Sequence, residues 1–271
     1  MKKVILNYLV ITSLVIFSAL TSCSDCGCDD DIYIEDEVQL LKTIKYDGVS
    51  SFYRYEYDTE NRIEKISFCG GYGMENEILL SSQTFTYNED DLVRVVEEKN
   101  GYPEFGSTTE FIKSGNKITM TKKYNNDEDD IIATIDLNND GFLTKYEEIR
   151  ENDSQVVIIY QINGGNMTKY SYKSTWRDEI YEFSIEYKYD NKKSQFYHCN
   201  TPKWYLMVTS DYGIDGSQNN VIEQSWNGGE KSELKYEYDN SGYPIKCTKT
   251  TKWEGYDDIE LLEFVKEYKY E

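Results

Sequence analysis

Apolar and polar positions alternate along most of this chain. In Leu234-Lys235-Tyr236-Glu237-Tyr238 the period is two, which puts Tyr236 and Tyr238 on one face of a strand and Lys235 and Glu237 on the other. Asp239-Asn240-Ser241-Gly242 follows, and these residues favour a turn because Asp and Asn bond back to their own backbone. A second alternating run leads away through Thr248.

The same hairpin recurs. Its turns fall at Asp58–Asn61, Asn88–Asp91, Ser114–Asn116, Asp136–Gly141, Asn163–Asn166, Asp190–Lys192 and Asp239–Gly242. The spacing is roughly 25 residues, that of a two-strand unit. Looser connections lie between the turns: Cys69–Asn76, Asn100–Gly106, Asn125–Asp130, Asn152–Ser154, Ser174–Asp178, Asn227–Glu230 and Glu254–Asp258. Short and long loops in alternation predict an all-β protein, an antiparallel up-and-down meander of about sixteen strands. A sheet of that size curls, closes into a barrel or splits into layers, because a flat one leaves edges. Only Thr201–Val208 suggests a helical period.

The face opposite the tyrosines is Lys, Glu, Asp and Thr throughout. A membrane-spanning barrel needs an unbroken apolar band outward, so the pattern favours an apolar interior over a lipid-facing surface.

The first residues follow a different rule. Met1-Lys2-Lys3 is basic, Val4–Ala19 is apolar, and Leu20-Thr21-Ser22-Cys23 comes next. This resembles the lipobox of bacterial lipoproteins. The resemblance implies a signal peptide over 1–22, a lipid on Cys23, and stable attachment to a bilayer through its acyl chains. Ser24-Asp25-Cys26-Gly27-Cys28-Asp29-Asp30-Asp31 then looks like the acidic export tag of surface-exposed Bacteroidetes lipoproteins, with Cys26 and Cys28 interrupting the pattern. Residues 23–37 are thus expected to be a solvated tether, and 38–271 a single repetitive β domain.

Composition narrows the function. A net charge of -21 excludes nucleic acid and anionic membrane surfaces as partners, since phosphates require Lys and Arg, and it suits a soluble exported monomer. The 26 Tyr against 3 Pro fit strands with half-buried faces. Of six Cys, Cys69, Cys199 and Cys247 lie in the β domain without CxxC spacing, and their pairing is left open. His198 is the only histidine, so no zinc site and no cofactor are expected.

The Tyr-x-Tyr-Asp turn resembles the YD-type repeats of bacterial surface and toxin-shell proteins. Tyr187–Phe196, then Ser217–Val221, then Tyr236–Pro244, together resemble an uncharacterised Bacteroidetes lipoprotein family with a porin-like β fold. Family members often carry Asn-Pro-Phe where this chain has Ser194-Gln195-Phe196. The resemblance covers most of residues 38–271. It implies a fold and an outer-membrane, lipid-anchored, cell-surface location, and no activity.

Candidate chemistry is sparse. Asp136–Glu147 matches the EF-hand calcium pattern, with Asp136, Asn138, Asp140 and Glu147 as oxygen ligands and Gly141 at the turn. Its flanks read as strands, which leaves at most weak calcium binding by a hairpin tip. A nucleophilic triad would have to use His198, and its neighbour Cys199 faces elsewhere. Fifty acidic residues leave room for a paired-carboxylate glycoside hydrolase, with no two distinguished from the solvated faces. Trp176, Trp204, Trp226 and Trp253 sit near the looser connections, where they cap the sheet core or stack on a ligand. The leading expectation is a non-enzymatic surface protein that binds a glycan or an envelope partner. A hydrolase and a purely structural envelope protein are the competing classes.

Overall fold

The computed structural model describes residues 38–71, 77–126, 129–149, 154–177, 179–253 and 260–271. The signal peptide, Cys23 and the tether lie outside them.

Sixteen antiparallel strands form one closed barrel. They are β1 (Leu41–Tyr46), β2 (Phe52–Tyr57), β3 (Ile63–Gly70), β4 (Ile78–Asn88), β5 (Asp91–Lys99), β6 (Ser107–Ser114), β7 (Lys117–Tyr124), β8 (Ile131–Leu137), β9 (Leu143–Ile149), β10 (Gln155–Asn163), β11 (Asn166–Trp176), β12 (Glu179–Lys193), β13 (Asn219–Trp226), β14 (Glu230–Tyr238), β15 (Pro244–Trp253) and β16 (Glu260–Tyr270). Every strand pairs with its neighbours in sequence, and β1 closes the ring against β16 in the register Ile44↔Tyr268. Closure removes the free edges that a meander of this size would otherwise expose.

Alternation sorts the side chains. Tyr55, Phe85, Phe111, Ile135, Tyr170, Ile185 and Leu234 point inward and are buried. The outward face carries cross-strand ion pairs: Lys169 with Glu186 at 3.2 Å, Lys188 and Lys231 both with Glu223 at 2.9 Å, and Lys246 with Glu237 at 3.2 Å. It is not polar throughout, as the alternation suggested, since Ile112, Ile132, Ile149 and Ile159 are exposed on it. These pairs occupy positions that a lipid-facing band would fill with Leu, Val and Phe.

The tight turns share a device. Asp58, Asn138 and Asp239 each accept two backbone N–H bonds through one side-chain oxygen, from the residues two and four positions on. The distances are 2.9 and 2.9 Å, 3.0 and 2.9 Å, and 2.9 and 2.9 Å. The residue three positions on is left-handed in each: Asn61 at φ 60°, Gly141 at 79° and Gly242 at 83°. That conformation is accessible to Gly and Asn, which explains their recurrence there.

Tyrosines near strand ends on this rim tie their strand to the one before. Tyr57 Oη donates to the Leu41 carbonyl at 2.8 Å, Tyr87 to Ile63 at 2.8 Å, Tyr189 to Met167 at 2.6 Å and Tyr270 to Pro244 at 3.0 Å. In each case the acceptor lies at the start of the preceding strand. At Tyr57-Asp58 the two devices combine: the phenol clamps one strand end and the carboxylate shapes the turn that follows.

One turn departs from the expectation. Asp190 bonds the Lys192 N–H at 3.0 Å as its counterparts do, yet no hairpin closes there. The chain instead runs from Ser194 to Gln218 through the interior before β13 begins. Helix α1 (Lys203–Thr209) and a 3₁₀ turn (Asp211–Gly216) form this insertion. Trp204, Tyr205, Leu206 and Met207 are consecutive and all buried, so the middle of α1 presents apolar side chains in every direction. Tyr205 packs edge-on against Phe85 and Phe111, and Phe196 against Tyr55. Trp204, expected near a looser connection, thus belongs to the plug. The plug is fastened at two places on the tight-turn rim. Thr201 Oγ1 accepts the Ile63 N–H at 2.8 Å and meets Tyr87 Oη at 3.2 Å, while the Gln218 N–H donates to Gly165 O at 3.1 Å. It closes that end. β1 also begins there, opposite the mouth. Cys69, Cys199 and Cys247 are free thiols and buried.

Thr201→Val keeps the volume and strands the buried Ile63 N–H. A loss of about 1–3 kcal/mol is expected in thermal or denaturant unfolding. A change within 0.3 kcal/mol would refute the fastening.

Burial raises the pKa of the Tyr57, Tyr160, Tyr187, Tyr236 and Tyr268 phenols well above the ordinary value. The unfolded chain titrates its phenols near pH ~10, so above that pH the folded state holds more protons and loses stability as pH rises. The phenolate absorbance of these buried tyrosines and the strand circular dichroism are expected to change together in one cooperative alkaline transition. Phenol ionisation that runs to completion with the strand signal intact would contradict the buried placement.

Candidate functional site

The mouth lies at the loose-loop end. There the β11–β12 hairpin stands above the rim, because β12 runs past the end of β13, whose last pair is Ile185↔Trp226. The inward face of the hairpin is aromatic. From the exposed Tyr181 a chain of ring contacts descends into the lumen. Tyr181 meets Tyr172 and Phe183 at 6.1 and 5.8 Å, Phe183 meets Tyr170 at 5.9 Å, Tyr170 meets Tyr212 at 5.7 Å, and Tyr212 meets Trp226 at 6.1 Å. The track changes support partway: Tyr212 belongs to the plug, and its backbone is left-handed at φ 54°. A non-glycine residue in that region carries strain, which the packing around its ring holds in place.

Beyond Trp226 the track gains charge. Lys249 Nζ lies 5.4 Å from the Trp226 ring centre and 5.9 Å from that of Phe264. Lys266 Nζ lies 4.8 Å from Phe264 and 5.2 Å from Tyr46. Burial lowers the Lys266 pKa, but Tyr46 and Asp215 more than offset this, so it holds its proton above the ordinary lysine value.

Three cavities surround the plug. The first, about 290 Å³, lies between the plug and β1–β4, with Tyr46, Tyr53, Tyr55, Phe68, Gln195 and Lys266 in its wall. The second, about 90 Å³, lies against β13–β16 and shares Gln195, Ile214, Asp215 and Lys266 with the first. The third, about 260 Å³, lies against β5–β10. The first and third approach the lower bound for small-molecule sites.

Polar side chains are common in these walls and charged ones are few among the described residues. Gln195 Nε2 donates to Asp215 Oδ1 at 2.9 Å. In the third cavity Glu97 faces Lys122 at 4.0 Å and accepts a long bond from Ser107 Oγ at 3.4 Å. Among the described residues, Asp215 is the carboxylate of the first two cavities and Glu97 that of the third. A glycoside hydrolase needs two carboxylates across one cleft.

The sequence-derived candidates fall elsewhere. Asp136–Glu147 sits on the tight-turn rim between β8 and β9, strands in place of the helices of an EF-hand. Asn138 spends its side-chain oxygen on the turn. Asp136 pairs with Lys117 at 3.5 Å, and Glu147 with Lys145 at 2.5 Å and Gln155 at 2.6 Å. Among the described residues no group of three or more His, Cys, Asp or Glu is placed to hold a metal ion. His198 lies in the plug against the rings of Tyr197 and Tyr243. Trp226 faces the lumen, and Trp176 is exposed at the mouth with the Arg177 guanidinium 4.6 Å from its ring centre. The Trp253 side chain lies outside the described residues. Lys249 and Lys266 were not singled out by the sequence; in the barrel they share a strand face with Cys247 and Tyr268, two residues away.

No family model matches the chain, and no curated protein matches it. Among solved structures it is similar to a porin-like protein from Bacteroides uniformis, with a TM-score of 0.55 and 14% identity over 86% of this chain and 95% of that one. A porin-like protein from Bacteroides vulgatus aligns over 86% of this chain and 99% of that one, at a TM-score of 0.42 and 13% identity. The first likeness concerns the fold: this chain is a porin-like β-barrel in architecture.

Proposed function

We propose that this chain is a non-enzymatic, lipid-anchored envelope protein of the outer membrane, exposed at the cell surface and monomeric, that binds a saccharide inside its barrel. The observation that carries the reading is the aromatic track from Tyr181 to Trp226, which leads from the mouth to cavities beside the plug. A sugar ring has apolar C–H faces and hydroxylated edges. Flat aromatic walls interrupted by Gln, Ser and Lys match both surfaces, which a purely structural barrel has no need to provide. The charged, ion-paired exterior supports a barrel held at a membrane by a lipid rather than one that spans it. That the described residues put one carboxylate in each cavity wall is the reason to prefer binding over hydrolysis.

Tryptophan emission reports on the track, since Trp226 lies on it. Titration with a saccharide panel is expected to shift the emission saturably. Trp226→Phe is expected to remove most of the signal and retain binding. Tyr212→Ala is expected to weaken binding about tenfold, near the worth of one lost aromatic contact. A folded protein that gives no shift and no heat with any member of a broad glycan array would overturn the reading.

A further inference from the structure

The first and third cavities share a boundary. Gln83 of β4, with Tyr205 and Thr209 of the plug, stands in the walls of both. At about 290 and 260 Å³, each alone falls just short of the range of small-molecule sites, and joined they fall well inside it. Each also offers flat aromatic surface: Tyr53, Tyr55 and Phe68 in the first, Phe111, Tyr146 and Tyr160 in the third.

The boundary is rigid and polar. The Tyr205 ring is held edge-on by Phe85 at 5.4 Å and by Phe111 at 5.9 Å. Thr209 Oγ1 donates to the Tyr205 carbonyl at 2.8 Å and braces the same turn of α1. Tyr205 is 5% exposed, yet among the described residues no group hydrogen-bonds its Oη. The same holds for the Gln83 side-chain amide and for Ser82 Oγ, which lies in the wall of the first cavity at 6% exposure. The rim phenols of Tyr57, Tyr87, Tyr189 and Tyr270 all reach a carbonyl. Buried hydroxyls are rarely left unanswered, because they forfeit hydration without replacement. Burial, with Tyr87 and Glu97 nearby, raises the Tyr205 pKa, so the group is a neutral hydroxyl that both donates and accepts.

We propose that the two cavities are lobes of one site for a saccharide of linked units, with one ring in each lobe and the linkage passing Gln83 and Tyr205. This rests on the saccharide reading above and narrows it from a sugar to a sugar chain. A single ring covers the aromatic wall of one lobe and leaves the other to water. A linked pair covers both, bears the association cost once, and brings hydroxyls to Tyr205 Oη, Gln83 and Ser82.

Calorimetric titration of the intact protein compares each single sugar with its linked pair. The probes are glucose against maltose and cellobiose, N-acetylglucosamine against chitobiose, and mannose against mannobiose. At least one pair is expected to bind about tenfold or more tightly than its single unit, at one ligand per chain. Tyr205→Phe keeps the ring and its contacts with Phe85 and Phe111 and removes the oxygen alone. It is expected to cut that ratio about fivefold, near the worth of one hydrogen bond. The melting temperature of the ligand-free variant is expected to stay level or rise, because the hydroxyl has no protein partner to lose. A lower melting temperature would give the hydroxyl a structural role and overturn the inference, as would an unchanged ratio. The wild-type comparison needs no variant. Linked and single sugars that bind equally, or two single sugars per chain with no gain on linking, make the cavities separate sites and overturn the inference while the saccharide reading stands. No binding by any probe overturns both.

Discussion

The constraint behind the rest of the structure is circumference. An eight-stranded barrel can fill its own interior with side chains, whereas sixteen strands enclose a space too wide for residues on opposite walls to meet. Here the inward face is apolar and aromatic, so an unfilled lumen would leave it in water. The segment from Ser194 to Gln218 resolves the conflict. It brings Trp204, Tyr205, Leu206 and Met207 into the interior and gives Phe85 and Phe111 rings to pack against. A fully buried residue of this kind is worth about 1.5–3 kcal/mol, so the plug and the wall depend on each other. The filling is incomplete, and the cavities around the plug are where a ligand can sit.

The rim explains how a repeat can specify a ring. Tyr57-Asp58 fixes its strand end twice, through the phenol and through the turn, and both bonds reach backbone atoms. The identity of neighbouring side chains therefore matters little, and the unit can be copied with wide variation between. Asp190 shows the versatility of the device. With the turn opened, its carboxylate instead accepts bonds from the Asn220 N–H at 3.1 Å and from the Tyr238 phenol, so the neck of the insertion is sewn to the next strands by the group that would have shaped a hairpin.

Most of the fold was legible in the sequence, and particular residues show why. Period-two alternation around Tyr236 and Tyr238 and the Asp/Asn/Gly turns are local signals, and local signals survive without an alignment. The connections at Asn100–Gly106 and Asn227–Glu230 gave the loose end for the same reason. The plug was far less legible. Trp204–Met207 is buried on every side and so has no amphipathic period, and the turn signal at Asp190–Lys192 is real but unused. The site was least legible of all. Lys249 sits in a run of Lys and Thr that is polar on both faces, so alternation cannot say that it points inward toward Trp226. Only closure of the barrel and the path of the plug bring β13, β15, β16 and Ser194 to one cavity.

The central claim is that Ser194–Gln218 lies inside the barrel and closes one end. Hydrogen-exchange mass spectrometry over the peptide spanning Trp204–Thr209 tests it most directly. The account predicts protection comparable to the β10–β11 strand core, because the helix is enclosed by wall. Exchange as fast as that of the exposed connections at the mouth would place the segment in solvent and contradict the account.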